Sequence, residues 1–336
     1  MSKRQRVFVY EYLSGGGARD LGDDAAADEL LPLGLSMRDA MVADLLRAGD
    51  CSVSAASGDT GRTLPAGAAP VRPHVGESPF DFVVRQQRLH DRVWLVAPET
   101  DGLLARFERT VDTGRWLGCS GAAIALAARK SATLAHLQAH GIATPLAFAQ
   151  APFIERWVVK PDDGAGGVGT QVHTRHADAL ADAARRTEAG AAAALEPWIE
   201  GEALSLSLLC TAHNAEMLSI NRQCISLDAH GRLSFDGVRI AAVGRDDPRR
   251  GALAALAARV AHAIGGLRGF AGIDLVWHPQ HGPVVIEVNP RVTCAYVGLS
   301  AALGRNLAAE ILADRLPVDD AQQAHPTQRE AARAHA

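Results

Sequence analysis

Short apolar runs alternate with helical periodicity over the first third of the chain and then give way to a succession of strand-length runs. Val7-Phe8-Val9-Tyr10-Glu11-Tyr12 reads as a strand, residues 36–48 as a helix carrying Leu45-Leu46, and Cys51-Ser52-Val53-Ser54 as a second strand. A helix over 78–90, the strand Val93-Trp94-Leu95-Val96-Ala97 and a helix over 100–113 continue the alternation. Such a βαβ series predicts an open parallel sheet ending near residue 115. A helix over 120–140 follows, with Ser120 as N-cap and Arg129-Lys130 mid-element, stopped by Gly141-Ile142-Ala143-Thr144-Pro145. Trp157-Val158-Val159-Lys160-Pro161 is a short strand, 164–169 a glycine-rich loop, and Thr170-Gln171-Val172-His173 the returning strand of a hairpin. An Ala-rich helix spans 177–189. Strand runs at 194–199, 204–210, 216–226 and 233–242, a helix over 248–264, and two acid-bearing strands complete a half that reads as α+β with an antiparallel sheet.

Those two strands carry the strongest chemical signal. Glu287 and Asn289 stand two residues apart in Val284-Val285-Ile286-Glu287-Val288-Asn289-Pro290-Arg291 and so share one face. Asp274 in Gly272-Ile273-Asp274-Leu275-Val276-Trp277 can face Glu287 across a hairpin turned by Pro279-Gln280-His281-Gly282. Two neighbouring carboxylates need a positive charge between them, and oxygen ligands suit Mg²⁺, with Mn²⁺ as a substitute. Lys160 directly before Gly164, Gly166, Gly167 and Gly169 can set charge and backbone amides against phosphate. The order is not that of a Walker A loop, in which the lysine follows the glycines and opens a helix. Glu196-Pro197-Trp198-Ile199-Glu200-Gly201-Glu202 can hold a purine edge and ribose hydroxyls. Gly15-Gly16-Gly17 is no GxGxxG fingerprint, and Asp20, Asp23 and Asp24 behind it disfavour a dinucleotide phosphate.

Composition narrows the class. The 336 residues are 48% hydrophobic and 21% charged with a net charge of -4, which leaves no strongly basic face for nucleic acid. Five cysteines without CxxC spacing argue against a disulfide framework or a zinc knuckle and fit a reducing cytoplasm. No apolar run approaches membrane-spanning length, and the basic start leads into too short an apolar run for a signal peptide. No membrane association is expected, and the thirteen histidines suggest no metal cluster.

The order of these pieces over residues 116–315 resembles the ATP-grasp ligases: Lys130 before Gly-Ile-Ala-Thr-Pro, Val-Val-Lys160-Pro, the 164–169 loop, Glu196 to Glu202, Gly-Ile-Asp274, and Glu287-Val-Asn289-Pro-Arg291. The resemblance implies a parallel α/β amino-terminal (pre-ATP-grasp) domain at 1–115, a small central lid at 116–195, a carboxyl-terminal antiparallel lobe at 196–316, and a tail at 317–336. It implies ATP phosphates on Lys130, Lys160 and the glycine loop, adenine at Glu196, Trp198 and Ile199, ribose at Glu202, and magnesium on Asp274, Glu287 and Asn289. Family chemistry phosphorylates a carboxylate with ATP and lets an amine displace the phosphate; Arg291 and Arg222 are the candidates to hold the acylphosphate or substrate carboxylate, with Lys160 assisting. Alanine-alanine ligases carry an arginine two positions before the first metal acid, where this chain has Gly272. Tyr10-Glu11-Tyr12-Leu13-Ser14-Gly15-Gly16-Gly17, Ala97-Pro98-Glu99-Thr100-Asp101-Gly102 and Ser219-Ile220-Asn221-Arg222-Gln223 are similar to the branch that includes tyramine-glutamate ligases of methanofuran-type one-carbon cofactor synthesis. There Glu11, Gly15, Gly16 and Glu99 are substrate candidates. A ligase for another amino acid or a glutamate tail, or an ATP-binding regulator without turnover, are the alternatives; a homo-oligomer fits either.

Overall fold

Val7, Phe8, Val9 and Tyr10 are all buried, because the strand that carries them has packed layers on both faces. The computed structural model describes residues 4–17, 24–58 and 62–314. Its first unit contains β1 (Gln5–Glu11), α1 (Asp24–Ala48), β2 (Cys51–Ala56), β3 (Ala69–Val71), α2 (Pro79–Gln87), β4 (Arg92–Val96) and α3 (Leu103–Thr110). The strands pair in parallel in the order β3-β2-β1-β4. Phe8 and Tyr10 face Phe82 and Phe107, while Val7 and Val9 face Met41, Leu45 and Trp94, so period-2 alternation feeds two cores. Ser78 caps α2 by accepting from the Asp81 amide at 3.1 Å, with Pro79 in the first turn.

Helix α1 starts twelve residues before the expected 36 and passes through Pro32, whose missing N–H forfeits one helical bond without ending the helix. Gly34 lies within it against the Glu11 carboxylate: a Cβ there would come within 2.6 Å of that group, so glycine lets the helix cross β1 this closely.

The expected helix over 120–140 is two helices, α4 (Gly121–Ala127) and α5 (Lys130–Ala139), with Arg129 in extended backbone between them. Asp162, 31 residues beyond Ser131, causes the break. Its carbonyl accepts from the Lys130 amide and its Oδ1 from the Ser131 amide, both at 2.8 Å, which satisfies the first turn of a new helix from outside. Lys130 therefore opens α5 instead of lying mid-helix.

The lid is β5 (Trp157–Pro161), β6 (Gln171–His173), α6 (His176–Glu188) and β7 (Ala193–Pro197), with antiparallel strand order β6-β5-β7. The division at 195/196 thus runs through β7, and α4 and α5 pack on the following lobe. That lobe holds β8 (Glu202–Cys210), β9 (Ala215–Leu227), β10 (Leu233–Arg239), α7 (Arg250–Ile264), β11 (Gly269–His278), β12 (Gly282–Asn289), α8 (Leu299–Leu303) and α9 (Leu307–Ala313), with antiparallel order β10-β9-β8-β11-β12. The proposed tail at 317–336 lies outside the described residues. No described helix is long and apolar enough to cross a membrane, and all five cysteines are free.

The segment 296–306 returns to α1 through Asp44, which accepts from Tyr296 Oη at 2.7 Å and from Ser300 Oγ, while Asn306 Nδ2 donates to its carbonyl at 2.9 Å. Asp44→Ala strands two buried hydroxyls and is expected to cost about 2–4 kcal/mol in urea unfolding, with Asp44→Asn costing less. An unchanged midpoint in the alanine variant would remove Asp44 as the clasp.

Candidate active site

Asp274 and Glu287 are direct cross-strand partners on β11 and β12. Beyond them the register shifts: Leu275 pairs with Val285, which leaves Ile286 as an extra residue. This bulge lets Ile286 and Glu287, neighbours in sequence, both line the same cleft. Asn289 Nδ2 donates to Asp274 Oδ2 at 3.1 Å. Desolvation and the facing Glu287 push Asp274 from 3.8 up to about 7, against the pull of Asn289, Arg291 and Lys160.

Two lysines meet these acids. Lys130 Nζ lies 3.1 Å from Glu287 Oε1 and also donates to the Gly164 carbonyl. Lys160, at the end of β5, pairs with Glu196 on β7, both nearly buried. Burial pushes the Glu196 carboxyl up while Lys160 pulls it down, and the net direction is up. Its Oε2 and the Trp198 indole N–H are buried without partners among the described residues. Arg291 makes a two-point pair with Glu99, Nε to Oε1 at 2.8 Å and Nη2 to Oε2 at 2.9 Å.

These groups share a cleft of about 260 Å³ between the lid and the carboxyl-terminal lobe. Lys130, Lys160, Gly164, Gly166, Gly167, Glu196, Trp198, Ile199, Asp274, Glu287, Asn289 and Arg291 all line it. Gly166 and Gly167 have φ of 67° and 73°, a backbone that glycine adopts freely. The loop is wedged between α1 and β10: a Cβ on Gly166 would meet Leu30 at 2.7 Å, and one on Gly167 would meet Leu233 at 3.1 Å. Gly169 is set back at the base of the loop, where its carbonyl accepts from Arg186.

Several expected site residues lie elsewhere. Ala203 and Ser205 line the cleft, so strand alternation turns Glu202 to the opposite face of β8. There Glu202 is held by Arg222 at 2.5 Å and by Arg249, whose hydrogen bonds outweigh desolvation and keep it below the usual carboxylate range. This removes Glu202 from the ribose role and Arg222 from the acylphosphate role. Glu11 is turned back on its own loop, accepting from the Leu13 and Ser14 amides at 3.1 and 2.8 Å. Gly15 is packed against the Tyr10 ring, and Gly16 is exposed outside the cleft. Glu99 is taken up by Arg291 and is not free to meet an ammonium.

Sequence reading missed Val158, Ser205, Gln223, Ile286 and Thr293 as cleft residues, together with Asp162 as the group that sets Lys130. Counting in twos along β8 from the cross-strand partner of Asp274, which is Ser205, was the available signal for part of this set. Asp162 had none, since its partners are distant in sequence. Two carboxylates and an amide oxygen suit a hard divalent ion, which they would hold together with oxygens from a ligand. Among the described residues no group of three or more His, Cys, Asp or Glu could hold a metal by itself.

The family description "ATP-grasp domain" matches residues 127–295, just over half of the 336 residues, and "pre ATP-grasp 3 domain" matches residues 58–124. No curated protein matches the sequence. Among solved structures the chain is similar to an ATP-grasp superfamily protein from Archaeoglobus fulgidus, at 21% identity and TM-score 0.66 over 93% of this chain and 89% of that one. It is similar to L-amino acid ligase from Bacillus licheniformis, at 20% identity and TM-score 0.65 over 94% and 75%. Biotin carboxylase from Campylobacter jejuni matches at 13% identity and TM-score 0.64 over 96% and 72%. At these identities the shared property is the fold.

The raised Asp274 has a consequence for the metal-free protein. Its folded pKa of about 7 lies above the ordinary 3.8, so its contribution to stability is full below about pH 4 and is lost as pH rises to about 7. Urea unfolding in chelator should show wild type losing stability relative to Asp274→Asn across that window. Parallel profiles would mean that Asp274 titrates as an ordinary carboxylate.

Proposed function

Given that the chain belongs to the ATP-grasp domain family, we propose that it is an ATP-dependent carboxylate-amine ligase. In this reading a carboxylate substrate is phosphorylated and an amine then displaces the phosphate. The observation that carries it is the convergence of Lys130 and Lys160, from two different elements, on a cleft whose floor presents Asp274, Glu287 and Asn289. Lys130, Lys160 and the amides of the 164–168 loop would hold the phosphates of ATP, the Trp198–Ile199 backbone the adenine, and the oxygens of Asp274, Glu287 and Asn289 the Mg²⁺. The bound metal supplies charge neutralisation on the transferring phosphoryl group. This chain's residues supply position: Lys160 exchanges Glu196 for phosphate, Lys130 ties the loop to β12, and Arg291 offers donors to a developing anion.

The finer reading joins glutamate to tyramine or a related amine of methanofuran-type cofactor synthesis. Its support is the resemblance of the short segments and an apolar wall of Ile225, Leu233, Phe235 and Val238 along the cleft, on which an aromatic ring can pack. The similarity to L-amino acid ligase supports the ligase class with other acid-amine pairs as well.

The test is ADP release from Mg²⁺-ATP with L-glutamate, with and without tyramine, followed by product mass, with other acid-amine pairs and bicarbonate plus biotin in parallel. Release needing both substrates, with a γ-glutamyl-tyramine mass, is the expected result. Release only with other pairs discards the amine assignment, and release only with bicarbonate replaces the ligase reading. Lys160→Ala and Glu287→Ala should each lower turnover by about a hundredfold or more while the circular dichroism spectrum stays that of wild type. Wild-type rates in either variant would remove the site assignment.

A further inference from the structure

Arg291 faces the cleft from the carboxyl-terminal lobe, yet its guanidinium is oriented by a residue of the first unit. Glu99 follows β4, is nearly buried, and binds Nε and Nη2 from one side, while Nη1 donates to the Val292 carbonyl at 3.2 Å. Among the described residues, three of the five guanidinium N–H groups are thereby used, which leaves two for a ligand in the cleft. A planar fork held at two points cannot rotate, so the direction of those two donors is set before any ligand arrives.

The same turn reaches the root of the glycine loop. The Asp101 amide donates to Asp163 Oδ2 at 2.9 Å and Thr100 Oγ1 to the Asp163 carbonyl at 3.4 Å. Asp163 immediately precedes Gly164, whose carbonyl is held by Lys130. To make both contacts the chain places Asp101 and Gly102 in the left-handed region, at φ of 52° and 65°. An L-residue takes that conformation at a cost, and the contacts at either end over-determine it.

We propose that Glu99 is a positioning residue for Arg291, and that the turn 99–102 sets the free guanidinium donors and the base of the phosphate loop relative to each other, forming an anion site over the bound nucleotide. This rests on the ligase reading of the cleft. It also explains why a buried carboxylate of the first unit lies beside the metal strands without lining the cavity.

The experiment titrates inorganic phosphate calorimetrically into protein saturated with Mg²⁺-ADP, which needs no knowledge of the acid or amine. Wild type should bind phosphate. Glu99→Gln, which keeps shape and removes charge, should weaken phosphate by about tenfold, the worth of a charged hydrogen bond, with Mg²⁺-ADP affinity little changed. Arg291→Lys should do the same, and the double variant should be no weaker than Arg291→Lys alone. A structural role for Glu99 would lower the unfolding temperature without this selective loss. Wild-type phosphate affinity in Glu99→Gln, additive losses in the double variant, or no phosphate binding by wild type would each overturn the positioning role while leaving nucleotide binding in place. Failure to bind Mg²⁺-ADP at all would instead overturn the nucleotide reading, and the proposal with it.

Discussion

The cleft is organised by a shortage of one positive charge. Among the described residues, Glu196, Asp274 and Glu287 in the cleft and Glu99 behind it meet Lys130, Lys160 and Arg291, four acids to three cations, and the ion pairs use all three cations on Glu99, Glu196 and Glu287. Asp274 is the acid left over, and its carboxyl rises to about 7 because burial disfavours its charged form and the facing Glu287 adds repulsion. Such a cluster is costly to fold around unless a ligand rewards it, since partly buried charges lose solvation that pairing only partly restores. A divalent cation beside Asp274 would make up that shortage in place of a proton, and would leave the lysines freer to meet an anionic ligand.

Holding those charges in register requires all three units. The lid contributes Lys160 and, through Asp162, the cap that breaks the 120–140 segment and brings Lys130 to the head of α5. The carboxyl-terminal lobe contributes the cross-strand pair and the bulge that brings Ile286 and Glu287 together in the cleft. The first unit contributes Glu99 and the turn that touches Asp163. Each contact is short and geometrically strict, while the residues joined are as many as 192 positions apart in the chain. The fold serves here to set distances between charges.

The residues that sequence reading placed in the site and the structure removed share a cause. Glu202 and Arg222 lie on strands of the correct sheet, but one residue out of phase with Ala203, Ser205 and Gln223, and in a strand one residue is the difference between the cleft and the opposite face. Glu11 ends β1 and Glu99 lies just beyond β4, at the carboxyl edge of a parallel sheet where ligands commonly bind, yet both carboxylates are occupied, one by its own turn and one by Arg291. Exposure was the unknown in each case, and exposure is a property of neighbours.

What the chain declares in one dimension is local: strands and helices from periodicity, the shared face of Glu287 and Asn289, the Asp274–Glu287 facing across a hairpin, and the lysine-then-glycine order of the lid. All of these depend on residues within a turn or a strand pair of one another, where sterics and hydrogen bonding are already specified. Tertiary structure alone decided the break before Lys130, the extension of α1 to residue 24, the bulge at Ile286, and the partners of Arg291 and Lys160. Those outcomes follow from which group fills an open hydrogen-bond position or an unpaired charge, and that group lies far away in the chain and close by only after folding.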